Sequence, residues 1–113
     1  MLPDPTSTAE ISPQQWHTME HKEGICLIDC RELEEWEFNR LEGATHMPLS
    51  DFIECSKPLL ERPDQALVIY CHHGVRSLHA THWLRQQGMH SVFSLEGGIH
   101  RWALEIDSSV PLY

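Results

Sequence analysis

The stretch Ala66-Leu67-Val68-Ile69-Tyr70-Cys71-His72-His73-Gly74-Val75-Arg76-Ser77 decides the fold. Its first five residues are apolar or aromatic without alternation, the pattern of a strand covered on both faces, as in a parallel sheet. The polar run from Cys71 to Gly74 ends that strand, and a helix is expected to start near Val75. Leu78, Ala80, Trp83 and Leu84 would face inward, with Gly88 placed for a left-handed cap past the helix end. Strand, tight loop and helix in this order form the unit of an α/β sheet, whose ligands collect at the carboxyl edge of the strands.

The same alternation extends in both directions. Ser12 and Pro13 suit the cap and first turn of a helix expected to reach about His21. Ile25-Cys26-Leu27-Ile28 reads as a second buried strand, with Cys26 as a core residue, followed by a helical stretch through Glu35, Trp36 and Phe38. Gly43 to Pro48 gives a turn, a short strand and a stop. Ser50 or Asp51 would cap a helix presenting Phe52, Ile53, Leu59 and Leu60, which Pro58 breaks or shortens. Ser91 to Leu95 is the next strand, and Gly97-Gly98 turns the chain into a last helix with Ile99, Trp102, Ala103 and Ile106 on one face. The expected organisation is a loose leader over residues 1–10, one α/β domain with a mainly parallel sheet over 11–106, and a tail over 107–113.

Composition narrows the function. The 113 residues suffice for one core, and 41% hydrophobic with 22% charged residues is the balance of a folded domain. Eight Lys and Arg against seventeen Asp and Glu give a net charge of −9, which repels polyanions and argues against a nucleic-acid partner. No apolar run is long enough to span a membrane, and Met1-Leu2-Pro3-Asp4-Pro5 lacks the features of a signal peptide, so a cytoplasmic location without membrane attachment is expected. Cys26, Cys30, Cys55 and Cys71 are then expected to be free thiols.

The loop after Tyr70 carries the chemistry. A strand-to-helix loop can aim several backbone N–H groups at one point, while the helix N-terminus adds positive potential. That field favours thiolate, which makes Cys71 the candidate nucleophile. His72, His73, Gly74, Val75 and Arg76 would form an anion cradle: Arg76 by its fork of donors, the histidines by partial charge, Gly74 by conformational freedom. Asp29, Arg31 and Ser77 are candidates for loop support. Cys30 lies near the same sheet edge and could resolve a Cys71 persulfide as a disulfide, whereas Cys55 and the four tryptophans carry no functional argument. His79 and His82 share a helix face but lack a partner with ligand spacing, so no metal is expected.

These features occur with Ile11-Ser12-Pro13, Leu27 to Glu32, Glu35-Trp36, Glu42-Gly43-Ala44, Met47-Pro48 and Leu95-Glu96-Gly97-Gly98-Ile99 with Trp102. Together and in this order they resemble a single-domain rhodanese-like sulfurtransferase of the rhodanese homology family. The resemblance implies a five-stranded parallel sheet with helices on both faces and sulfur transfer through a Cys71 persulfide. It also implies a small sulfane-sulfur donor such as thiosulfate, a thiol, cyanide or protein-thiol acceptor, and no cofactor. A persulfide carrier or binding module in a sulfur relay is the alternative. Phosphatase and arsenate reductase chemistry is less favoured, because related phosphatases have a longer loop than the four residues separating Cys71 from Arg76. The family usually has Gly-His where this chain has Asn39-Arg40, in a turn expected to lie away from the loop.

Overall fold

The computed structural model describes residues 1–113. Five strands, β1 (Glu10–Ile11), β2 (Ile25–Asp29), β3 (Thr45–His46), β4 (Ala66–Tyr70) and β5 (Val92–Leu95), form one sheet in the order β1-β5-β4-β2-β3. All pairings are parallel, and β4 lies at the centre, paired with β2 from Ala66 to Tyr70 and with β5 from Leu67 to Ile69. Two apolar layers cover its faces, so Leu67 and Ile69 pack into one and Val68 and Tyr70 into the other. The unalternating sequence of β4 is thereby explained: every side chain has a core to enter.

Helices α1 (Pro13–Thr18), α2 (Leu33–Phe38), α3 (Phe52–Cys55), α4 (Lys57–Leu60), α5 (Val75–Gln86) and α6 (Gly98–Glu105) connect and cover the strands. Ser12 and Gln15 close a reciprocal capping box on α1, which ends at Thr18 rather than near His21, where φ is +58°. The expected single helix after Ser50 is instead a 3₁₀ turn, Leu49–Asp51, followed by two short helices. Ser50 gives its hydroxyl to Glu32, Pro58 stands in the first turn of α4, and Ile53 faces solvent. On α5, Ser77, Ala80, Thr81 and Leu84 are buried, and Gly88 takes φ +104° just beyond the helix.

Three expectations require correction. The segment 1–10 is held in place: Arg85 donates to the carbonyls of Pro5 (2.8 Å) and Thr8 (2.9 Å), and Ala9 accepts from Ser94 N–H. Its order comes from a cation on α5 and a strand edge, neither of which leaves a hydrophobic period in the segment itself. Ile11, placed in sequence at the entrance to a helix, belongs to β1 and pairs with Leu95. Cys26 is exposed: it shares a strand face with Ile28, but the apolar layer that buries Ile28 stops short of it.

The sheet delivers three chain crossings to one edge, namely β2 into Cys30, β4 into Cys71 and β5 into Gly97. At this edge Ile99 N–H donates to Cys71 O (2.9 Å) and His100 N–H to His72 O (3.0 Å), so α6 is latched to the loop after β4. Gly98 makes the approach feasible, with φ +62° and no side chain. An added Cβ would lie 2.5 Å from Cys71 O and still closer to His72 O, both inflexible backbone atoms. Gly98→Ala is expected to lower stability by about 1–3 kcal/mol, read as a drop of several degrees in melting temperature. Gly24→Ala, where a Cβ meets nothing within 4 Å, should melt like the wild type.

Candidate active site

Cys71 ends the central strand and is 1% exposed. Its Sγ accepts the N–H groups of Gly74 (3.1 Å) and Ser77 (3.4 Å), and Ser77 Oγ lies 3.4 Å away. The neighbouring Cys30 thiol also donates to it, and together these donors outweigh burial and hold the Cys71 pKa down at about 5. The two thiols are coupled: what lowers Cys71 raises Cys30, whose thiol is further pushed up by burial. Cys71 is therefore thiolate at neutral pH and Cys30 is its protonated neighbour.

The loop keeps further donors in reserve. The N–H groups of His72, His73, Val75 and Arg76 have no acceptor within the protein, while those of Gly74 and Ser77 point at Sγ. Gly74, at φ +99°, makes the curl and caps α5, with the space at its Cα closed by Gly97 N at 3.1 Å from a would-be Cβ. Ser77 is fixed from below by a 2.7 Å hydrogen bond with Ser94 Oγ. Two backbone donors of this strand-to-helix loop thus reach Cys71 Sγ, and four more in the same loop are without an acceptor, a supply of N–H groups suited to added negative charge.

Arg76 commits both terminal guanidinium nitrogens to Glu35, at 2.7 and 2.8 Å. This pairing, aided by Tyr113 and the Glu32 backbone, holds Glu35 at a pKa of about 2. Asp29 and Arg31 form a fully buried ion pair at 2.8 Å rather than a surface one. Arg31 also donates to Asn39 Oδ1 (2.7 Å), Asn39 O (2.6 Å) and Tyr113 Oη (2.9 Å). Neither residue hydrogen-bonds to the loop from Cys71 to Ser77; the connection runs through Tyr113, which donates to Glu35 (2.6 Å) and stacks on His72 with centroids 3.8 Å apart.

Tyr113, Glu35, Ser94 and His100 are the residues that sequence reasoning did not place at the site. A lone serine inside the apolar strand Val92–Leu95 was the available signal for Ser94, and Glu35 stood in a quoted motif without a role. Nothing local marks Tyr113, whose side-chain hydrogen bonds span more than seventy residues. The turn at Asn39 is not remote either: Asn39 Nδ2 holds Pro111 O (2.7 Å), fastening the segment that ends on His72. His79 and His82 are exposed on α5, and the histidines the fold assembles are His72, His73 and His100. The largest surface cleft, about 560 Å³ between Trp16, Arg40 and Trp102, contains none of the loop residues.

Comparison with known proteins bears on the fold and the family. The family model described as rhodanese-like domain matches residues 12–105. Thiosulfate sulfurtransferase GlpE of Haemophilus influenzae (strain PittEE) is 33% identical over 107 residues, covering 91% of this chain and 98% of that protein. The chloroplastic rhodanese-like/PpiC domain-containing protein 12 of Arabidopsis thaliana is 35% identical over 89 residues, 77% of this chain, which spans only 30% of that longer protein. Among solved structures, a rhodanese-related protein from Thermoplasma volcanium superposes with a TM-score of 0.75 at 27% identity, over 94% of this chain and all of that one.

Alkylation of Cys71 by iodoacetamide, followed by peptide mass against pH, should show a midpoint near 5 and a rate that falls as pH drops below it, because the thiol replaces the thiolate. Cys30→Ala removes the leading donor and should move the midpoint upward. An unmoved midpoint would show that the backbone N–H groups alone set the thiolate.

Proposed function

The chain belongs to the rhodanese-like domain family, and on that basis we propose that it is a sulfurtransferase carrying sulfane sulfur on Cys71. Thiosulfate or a related donor supplies the sulfur, and a thiol, cyanide or a protein thiol receives it. The observation that carries this reading is the geometry of Cys71, whose Sγ accepts the N–H groups of Gly74 and Ser77 in a strand-to-helix loop with four further N–H groups unspent, and whose pKa is held down to about 5.

The chemistry runs in two displacements. The Cys71 thiolate attacks the outer sulfur of thiosulfate; the new S–S bond forms as the old one breaks, and sulfite departs with the electron pair. Charge builds on the outer sulfur of the Cys71 persulfide, where the free N–H groups of His72, His73, Val75 and Arg76 stabilise it without reorganising. A thiophile then attacks that sulfur, and the Cys71 thiolate leaves as a good leaving group because of its low pKa. No step requires a cofactor. The net charge of −9 favours a basic partner where the acceptor is a protein thiol, and four free cysteines suit a reducing, cytoplasmic setting.

Arg76 acts on this reading as a positioning residue. Its forked pair with Glu35 ties the loop to α2 and keeps the N–H groups of Val75 and Arg76 in place. Arg76→Ala should lower turnover on the order of tenfold, about 1.4 kcal/mol of lost transition-state stabilisation, with Arg76→Lys intermediate. Glu35→Gln should reproduce part of the loss, since it weakens the same pair from the other side. Full activity in all three variants would remove Arg76 from the account.

Intact mass after incubation with thiosulfate and removal of excess tests the central claim. One added sulfur atom is expected on wild-type protein and none on Cys71→Ser, which keeps the shape of the site but is a poor sulfur nucleophile. Sulfur loading of Cys71→Ser to the wild-type level would refute the assignment.

A further inference from the structure

Three imidazoles from two segments meet beside the loop. His72 and His73 follow Cys71, and His100 is in the first turn of α6; one ring nitrogen from each lies within 4.8 Å of the others. The rings contact one another directly, with centroids 3.9 Å apart for His72 and His73, 4.8 Å for His73 and His100, and 5.8 Å for His72 and His100. His72 Nε2 and His100 Nδ1 are sealed from solvent and have no hydrogen-bond partner. An unsatisfied buried polar atom costs about 1–3 kcal/mol, and a ligand that accepts a lone pair from each ring would satisfy both.

We propose that His72, His73 and His100 bind one divalent transition ion of the zinc class, as a three-imidazole site with one coordination position left open. Neutral imidazole is a ligand for Zn²⁺, and a tetrahedral ion with Zn–N bonds of about 2.0–2.1 Å needs its nitrogens about 3.3 Å apart. The cluster is loosely closed at 4.8 Å, and His73, whose side chain is exposed, has the rotational freedom to bring its nitrogen in. The other two rings are anchored through their backbones by the hydrogen bond from His100 N–H to His72 O. Tyr113 stacks on the face of His72 at an interplanar angle of 9°. Metal coordination uses the lone pair in the ring plane, so this stacking steadies His72 without occupying its donor. The net charge of −9 adds a long-range attraction for a cation.

The competing ligand for Zn²⁺ is the Cys71 thiolate, and the test separates the two. Zn²⁺ is titrated by competition with a chromophoric chelator into wild type, Cys71→Ser, His100→Gln and His73→Gln, with cysteines kept reduced by a phosphine that does not bind the ion. One Zn²⁺ per chain is expected for wild type and for Cys71→Ser. Affinity should fall on the order of tenfold or more in His100→Gln and His73→Gln. The exposed position of His73 keeps the experiment decisive even where a change at His100 disturbs folding. Co²⁺ in place of Zn²⁺ should give a visible spectrum without a thiolate-to-metal charge-transfer band. Binding lost in Cys71→Ser, a thiolate band with Co²⁺, or affinity unchanged in both histidine variants would each overturn the site. These readouts do not use sulfur transfer, so failure here leaves the proposed function untouched, and the reverse.

Discussion

The carbonyls of Cys71 and His72 accept the first free N–H groups of α6, and the geometry of the site depends on that latch. In a trans peptide the C=O and N–H point in opposite directions. Committing Cys71 O and His72 O to α6 therefore turns the N–H groups of His72 and His73 away from it. Gly74 then reverses the chain, and its own N–H and that of Ser77 come round to Sγ. The loop keeps its N–H groups free because its outward carbonyls have somewhere to go, and Gly98, which has no Cβ to obstruct them, makes that place available.

A second network holds the loop from the side. It starts at the buried Asp29–Arg31 pair, passes through Asn39 and Tyr113 to Glu35, and ends on Arg76 at the start of α5. Removing one member of a buried pair strands the other charge at a cost of about 3–5 kcal/mol, so its value lies in fixing geometry more than in adding stability. Asn39 is a working part of this network: its side chain accepts from Arg31 and donates to Pro111. The tail is thereby a wall of the site and not an appendage.

Legibility in the sequence followed the range of the forces involved. β4, the loop and α5 form a local unit whose hydrophobic run, glycine and helix start are adjacent in the chain, and their placement needed no remote partner. Cys26 departs from its expected place in the core because an unalternating apolar run implies cover on both faces of a strand, not how far each covering layer extends along it. The order of segment 1–10 and the docking of Tyr113 come from single polar contacts across the fold, Arg85 to Pro5 and Thr8, Arg31 and Glu35 to Tyr113. Such contacts leave no periodic trace. The coupling of Cys30 to Cys71 needs the side-by-side ends of β2 and β4, which the pairing of Asp29 with Tyr70 establishes.

The strand order β1-β5-β4-β2-β3 sets the sequence of events by which the molecule is assembled. The first strand to leave a ribosome, β1, has its only neighbour in the last, β5, more than eighty residues later. Central pairing of β2 with β4 can precede it, but the edge closes only after nearly the whole domain is available, at the loop-closure cost of a non-local contact. Until then Ile11 and the side of β4 that β5 will cover are unpaired strand edge. A nascent chain of this topology is thus most exposed to self-association late in its synthesis, and the two-residue length of β1 keeps that edge short.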